Sequence, residues 1–220
     1  MWGWKSKVAP RTAGHDPAVM PQGSSAWRKA RLGHVTASRI ADVMARSRHG
    51  YGGVRESYLH ELIAERRTGR AAKSYTNAAM RWGSTMEPKA VAAYQALVGV
   101  SPEVVGFLKH PQIPFAGASP DRLVGADGLL EVKCPSAVKH LETLVAGEIE
   151  RKYLLQMQWQ MACSGREWCD FLSYDPRQSV PYMCFVARIV RDDNLIAQLE
   201  DAVRLFLAEL DYLMDQDNAE

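Results

Sequence analysis

FAGASPDRLVGADGLLEVKCP, residues 115–135, reads as strand, turn, strand. Gly125-Ala126-Asp127-Gly128 supplies the residue types that tolerate the backbone angles of a tight reversal. Side chains alternate along the second strand, so Leu129, Glu131 and Lys133 share one face. Leu130, Val132 and Cys134 share the other, which is apolar and belongs to a core. A carboxylate and an ammonium therefore stand side by side, and Asp121 arrives on the neighbouring strand. Two carboxylates beside a lysine suit metal-assisted hydrolysis of a phosphodiester: the oxygens hold a hard divalent cation, and the lysine positions water or steadies charge developing on phosphorus.

Register sets a condition. An even-numbered reversal loop puts Arg122 opposite Glu131 and turns Asp121 to the far face. For Asp121 and Glu131 to share a metal, the loop must be odd-numbered, or Asp121 must sit at a bulge or strand end. Pro120 favours the strand end, because proline lacks a ladder donor. A lone Glu-x-Lys is more often a solvated strand face. The Pro120-Asp121 pair, with a hairpin turn between it and Glu131-Val132-Lys133, reverses that preference.

The motif is that of the PD-(D/E)xK nucleases, and further segments narrow the resemblance. They are WRKARLGHVTAS (27–38), WGSTME (82–87), ASPD (118–121), LEVKCP (130–135), YLLQMQ (153–158) and YDPR (174–177). In this order they resemble the lambda-exonuclease and YqaJ-type viral recombinase nucleases, over roughly residues 22–213. The resemblance implies a restriction-endonuclease-like core and a Mg²⁺-dependent 5′→3′ exonuclease on double-stranded DNA ends, with Mn²⁺ as a substitute. It implies metal held by Asp121, Glu131 and the Val132 carbonyl, with Lys133 acting on the water and Glu87 as a further ligand or its neighbour. It implies a 5′-phosphate pocket of Arg31, Ser38, Ser119 and Gln156. Tyr153 and Arg122 are candidate DNA-lining residues. A homotrimeric ring and a single-strand annealing protein as partner are implied as well. The chain departs from the lambda pattern at Arg122, where that enzyme has glycine, and at Pro111, where it has an acid. Rival readings are a restriction-type endonuclease, which would cut closed circles, and a non-catalytic DNA-end-binding module, which would leave ends intact.

Composition agrees with one nuclease domain. The 220 residues are 47% hydrophobic and 24% charged, with a net charge of only +2, so any basic groove is local. Four cysteines without a CxxC pair argue against disulfides and zinc, and no run reaches membrane-spanning length; the expectation is a cytoplasmic enzyme without membrane contact. Residues 1–22 read as an arm, in which Trp2 and Trp4 either dock or meet a neighbouring subunit, and 23–220 as the single nuclease domain.

The expected architecture is α/β, a mixed sheet of about five strands flanked by helices. Helices are expected over 24–31, 55–67, 77–97, 137–147, 148–163 and from Asp192 or Asp193 to about Met214, with a further helix start at 35–44. Thr36 and Ser38 at that start would favour an anion. In the helix from Asn77, Met80, Ala90, Val91, Tyr94 and Leu97 are the expected core, and Pro88 marks a kink or a new helix. Strands are expected near 104–108, 168–174 and 183–190. Arg66, Arg67, Arg70 and Lys73 suit a duplex groove. Tyr153, Gln156 and Gln160 share a helical stripe, which either lines a groove or is the exposed side of a helix packed through Leu155, Trp159 and Ala162; Gln158 and Gln160 stay unassigned.

Overall fold

The computed structural model describes residues 20–47, 50–71 and 77–216. Trp2, Trp4 and Lys73 lie outside the described residues. The chain runs α1 (Ser25–Arg31), β1 (Val35–Thr36), a 3₁₀ turn (Ala37–Arg39), α2 (Ile40–Val43), β2 (Arg46–Ser47), β3 (Gly50–Tyr51), α3 (Gly53–Thr68) and α4 (Ala78–Val98). It continues with β4 (Leu108–Lys109), β5 (Ala116–Ala118), β6 (Arg122–Val124), β7 (Gly128–Lys133), α5 (Ala137–Ala146), α6 (Arg151–Ser164), β8 (Trp168–Tyr174), β9 (Cys184–Val190) and α7 (Asp193–Gln216).

The fold is the expected mixed α/β type, with its strands divided between sheets. Four strands follow the order β6-β7-β8-β9, three follow β1-β5-β4, and β2-β3 form a separate ribbon. The four-stranded sheet is antiparallel at both edges and parallel between β7 and β8, as the intervening α6 crossover requires. Both of its faces are covered. Leu129, Cys169 and Phe171 join the core containing α2, α3, α6 and α7. Val124, Leu130, Val132, Leu172 and Tyr174 pack on Ala90 and Tyr94 of α4. Glu131 thus lies on an internal strand and is 1% exposed; the solvated-face alternative for it is excluded.

Ser119-Pro120-Asp121 is the passage from one sheet to the other, between the end of β5 and the start of β6. Proline ends the first ladder because it has no N–H to contribute. The short linker fixes Ser119 and Asp121 relative to both sheets.

Several local expectations are corrected. Residues 35–44 form a two-residue strand, a 3₁₀ turn and one turn of helix, because Val35 and Thr36 pair in parallel with Ala116 and Gly117. There is consequently no long helix N-terminus at Thr36 and Ser38. Met80 and Leu97 are 49% and 64% exposed, and Met86 is the buried residue of that turn instead. α4 passes through Pro88 without interruption. The strand anticipated near 104–108 is reduced to Leu108–Lys109 and an isolated bridge from Glu103 to Leu123. Arg66 is a structural strut: it donates to the Gly33 carbonyl at 3.0 Å, pairs with Asp211 at 2.8 Å and lies over the Phe115 ring.

The final helix matches its stripe. Asp192 caps it by accepting from Leu195 N at 3.0 Å, and Leu199, Val203, Phe206 and Leu210 are fully buried. All four cysteines are free thiols, and no helix among the described residues is long and apolar enough to cross a membrane.

Candidate active site

The register condition is met. β6 and β7 pair Arg122 with Leu130, Leu123 with Leu129 and Val124 with Gly128, so the loop is Gly125-Ala126-Asp127, an odd number. Continuing the same register one step brings Asp121 opposite Glu131, just beyond the end of β6. Asp121 Oδ2 accepts from Val132 N at 2.7 Å, which ties the two strands beyond their ladder. Lys133 Nζ donates to Glu131 Oε1, Gln156 Nε2 donates to the same oxygen at 2.7 Å, and Gln160 Nε2 donates to Oε2 at 2.6 Å.

Electrostatics follow from this crowding. Burial and the adjacent Glu131 charge, with Glu87 adding, push the Asp121 carboxyl well above the usual carboxylate range, against the pull of Lys133 and the Val132 N–H. Burial opposes charge on Lys133, but the Glu131 and Asp121 carboxylates outweigh it and raise the ammonium above its ordinary value. Burial likewise pushes the Cys134 thiol up to about 12, so beside this lysine it remains a neutral SH.

The acids open onto a cavity of about 220 Å³ whose walls include Arg31, Ser38, Glu87, Ser119 and Gln156. Within it, Ser119 Oγ accepts from Trp27 Nε1 at 3.0 Å and from Arg31 Nη1 at 3.2 Å. With both acceptor positions used, the serine O–H is left to point at an incoming acceptor. The Arg31 guanidinium stacks over the Trp27 indole at 4.2 Å, which fixes the plane of its donor fork. One end of the cavity is therefore rich in donors, and the other carries the acid pair.

The YqaJ-like viral recombinase domain profile matches residues 26–167. The chain belongs to this family. Among solved structures of similar proteins is an alkaline exonuclease, LHK-Exo, from Laribacter hongkongensis, 46% identical with a TM-score of 0.83 over 89% of this chain and 97% of that one. The same protein in complex with dAMP matches at 47% identity and a TM-score of 0.83, over 88% of this chain and 95% of that one. A phage-related exonuclease from Haemophilus somnus 129PT, 16% identical with a TM-score of 0.59 over 83% of this chain and 96% of that one, shares the fold. No match to a curated protein was found.

Of the residues expected in the site of this family member, Asp121, Glu131, Val132, Lys133, Glu87, Arg31, Ser38, Ser119 and Gln156 all line the one cavity. Two expectations change. Arg122 points to the α4 side, where Nη1 pairs with Glu87 Oε1 at 2.9 Å and also reaches the Asp121 carbonyl. Tyr153 packs on Phe171 and lies over Lys133 Nζ at 4.9 Å, and is not among the cavity's lining residues. Gln156, expected at the phosphate pocket, lines the cavity and also donates to Glu131. Trp27 and Gln22 line the cavity without having been expected there, and Gln160, unassigned in the sequence, donates to Glu131. Trp27 precedes Arg31 by four residues on a helix, a spacing that faces an aromatic to a cation and was legible.

The donor set fits a hard divalent cation. The Asp121 and Glu131 carboxylates disfavour each other's charge, and Val132 lines the same cavity. Among the described residues no three His, Cys, Asp or Glu side chains form a metal-holding group.

Proposed function

We propose that the chain is a Mg²⁺-dependent exonuclease that degrades one strand of duplex DNA 5′→3′ from 5′-phosphorylated ends, leaving a 3′ single strand for recombination. One observation carries the reading: the Asp121–Glu131–Lys133 cluster shares a single cavity with the Arg31–Ser119 donor end. The similarity to an alkaline exonuclease supports it, and so does that relative's complex with dAMP, a deoxynucleoside monophosphate of the kind an exonuclease releases.

Mg²⁺, or Mn²⁺ in its place, held by Asp121, Glu131 and the Val132 carbonyl, would supply charge neutralisation and an acidified water. The chain's own groups do the rest. Arg31 and the Ser119 hydroxyl hold the terminal phosphate, with Ser38 across the cavity, and so set which phosphodiester lies over the acids. Lys133 presents its ammonium where charge develops on phosphorus. Val132 N–H keeps Asp121 turned toward Glu131. Glu87 is tethered to Arg122, which orients its other oxygen.

Linear duplexes labelled at either 5′ or 3′ terminus, with and without 5′-phosphate, test the reading in Mg²⁺. Early release of 5′ label, faster from phosphorylated ends, with closed circles untouched, is expected. Cutting of closed circles favours the endonuclease reading, and bound but undegraded ends favour an end-binding module. The reading extends to a homotrimeric ring around the duplex and a single-strand annealing protein as partner, in the reducing cytoplasm that four free thiols suit. A monomeric mass by light scattering at micromolar concentration removes the ring.

A further inference from the structure

Gln160 is 0% exposed, and its neighbours on α6, Met157, Trp159 and Met161, are equally buried. A primary amide in such surroundings is costly unless bonded, and packing alone would favour an apolar residue there. Its one close bond is Nε2 to Glu131 Oε2 at 2.6 Å. A carboxylate oxygen only accepts, so the amide turns its nitrogen toward Glu131, and its Oε1 lies on the other side, 4.0 Å from the Cys169 sulfur.

The donors on Glu131 divide by side. Lys133 and Gln156 both meet Oε1, and both line the cavity, where an arriving phosphate offers them another partner. Gln160 meets Oε2 and is not among the cavity's lining residues. We infer that Gln160 is a positioning residue, a fixed hold from the core side that keeps Glu131 turned with Oε1 toward the cavity while the other donors change partner. This rests on the metal-dependent reading above. Neighbouring Gln158 is the internal contrast: it is also buried, but bonds only backbone, donating to Val190 O at 2.9 Å and accepting from Asp192 N at 2.9 Å.

The test compares Gln160→Met with Gln158→Met, both near-isosteric and both without a donor. Mn²⁺ binding is measured directly by electron paramagnetic resonance, beside cleavage rates over a metal titration. Loss of an outer partner of a metal ligand typically weakens metal binding about 10–100-fold. Gln160→Met should therefore raise the Mn²⁺ dissociation constant and the half-saturating metal concentration by that factor. The rate at saturating metal should fall much less, and Gln158→Met should lower the melting temperature with metal affinity unchanged. Equal Mn²⁺ affinity in Gln160→Met and wild type overturns the assignment, as does an equal loss in both variants. If Gln160→Met does not fold, the Gln160 side-chain amide of the wild-type chain decides by hydrogen exchange. Protection that persists on adding Mg²⁺ supports the hold, and exchange at solvent rates overturns it. Wild-type protein that binds no Mn²⁺ defeats the metal-dependent reading itself, a separate result from equal affinities.

Discussion

The surroundings of Asp121 resist a charge on it until a cation arrives. Burial and Glu131 raise its pKa well above the usual range, so removing the charge relieves the metal-free fold. Asp121→Asn keeps an oxygen for the Val132 N–H while deleting the repulsion. The metal-free variant should melt at a higher temperature than metal-free wild type, with cleavage lost. Melting curves in chelator check this, and a lower melting temperature contradicts it. Arg31 is a different case, because its bond to Ser119 at 3.2 Å is only part of what its fork can make. Arg31→Ala should narrow the preference for 5′-phosphate over 5′-hydroxyl ends by about 10- to 150-fold, the equivalent of a charge-assisted bond of about 1.5–3 kcal/mol. Equal slowing on both ends would assign Arg31 to general DNA affinity.

At the scale of elements, the hairpin that aligns the acids depends on a close approach at its base. A Cβ on Gly128 would stand 2.1 Å from Trp168 Cζ2, and that indole is backed by the Arg188 guanidinium at 3.5 Å. The ring must shift against that guanidinium, so Gly128→Ala should cost about 1–3 kcal/mol, or roughly 2–12 °C in melting temperature. A variant that melts with wild type would mean the ring does swing aside. In the sequence Gly128 read only as a turn residue; its contact comes from β8, forty residues later. The same limit applies elsewhere. The β6–β7 motif, the α6 stripe and the α7 core were legible because periodicity and turn chemistry are local. The strand at Val35–Thr36 was not, because a two-residue strand exists only through its parallel partner at Ala116–Gly117. The contacts of Arg122 with Glu87 and of Gln156 with Glu131 are not legible in the sequence, because the fold brings together residues 35 and 25 positions apart.

For the molecule as a whole, acid should loosen the junction of the two sheets with α6 and α7. His110 follows β4, stacks on Trp159 at 5.0 Å, and its Nδ1 accepts from Gln112 N and Ile113 N at 3.2 and 3.1 Å. Burial lowers its pKa below the ordinary imidazole value of 6.5, with Glu200 only partly offsetting this. Below that value the unfolded chain takes up a proton that the folded chain resists. Stability is therefore full above about pH 6.5 and declines as pH falls toward the folded pKa. His110→Asn retains an acceptor for the turn without titrating, so its melting temperature should fall less steeply between pH 6.5 and 5. Parallel slopes in the two proteins would absolve His110.

Two of the three side chains that donate to Glu131 come from α6, 25 and 29 positions after it. During synthesis both acids leave the ribosome before either glutamine does, and α6 itself is buttressed by α7 through Arg191 and Asp192. Full orientation of Glu131 is thus coupled to the synthesis of α6, since a nascent chain that stops short of it has Lys133 and the Val132 N–H beside the acids but neither glutamine.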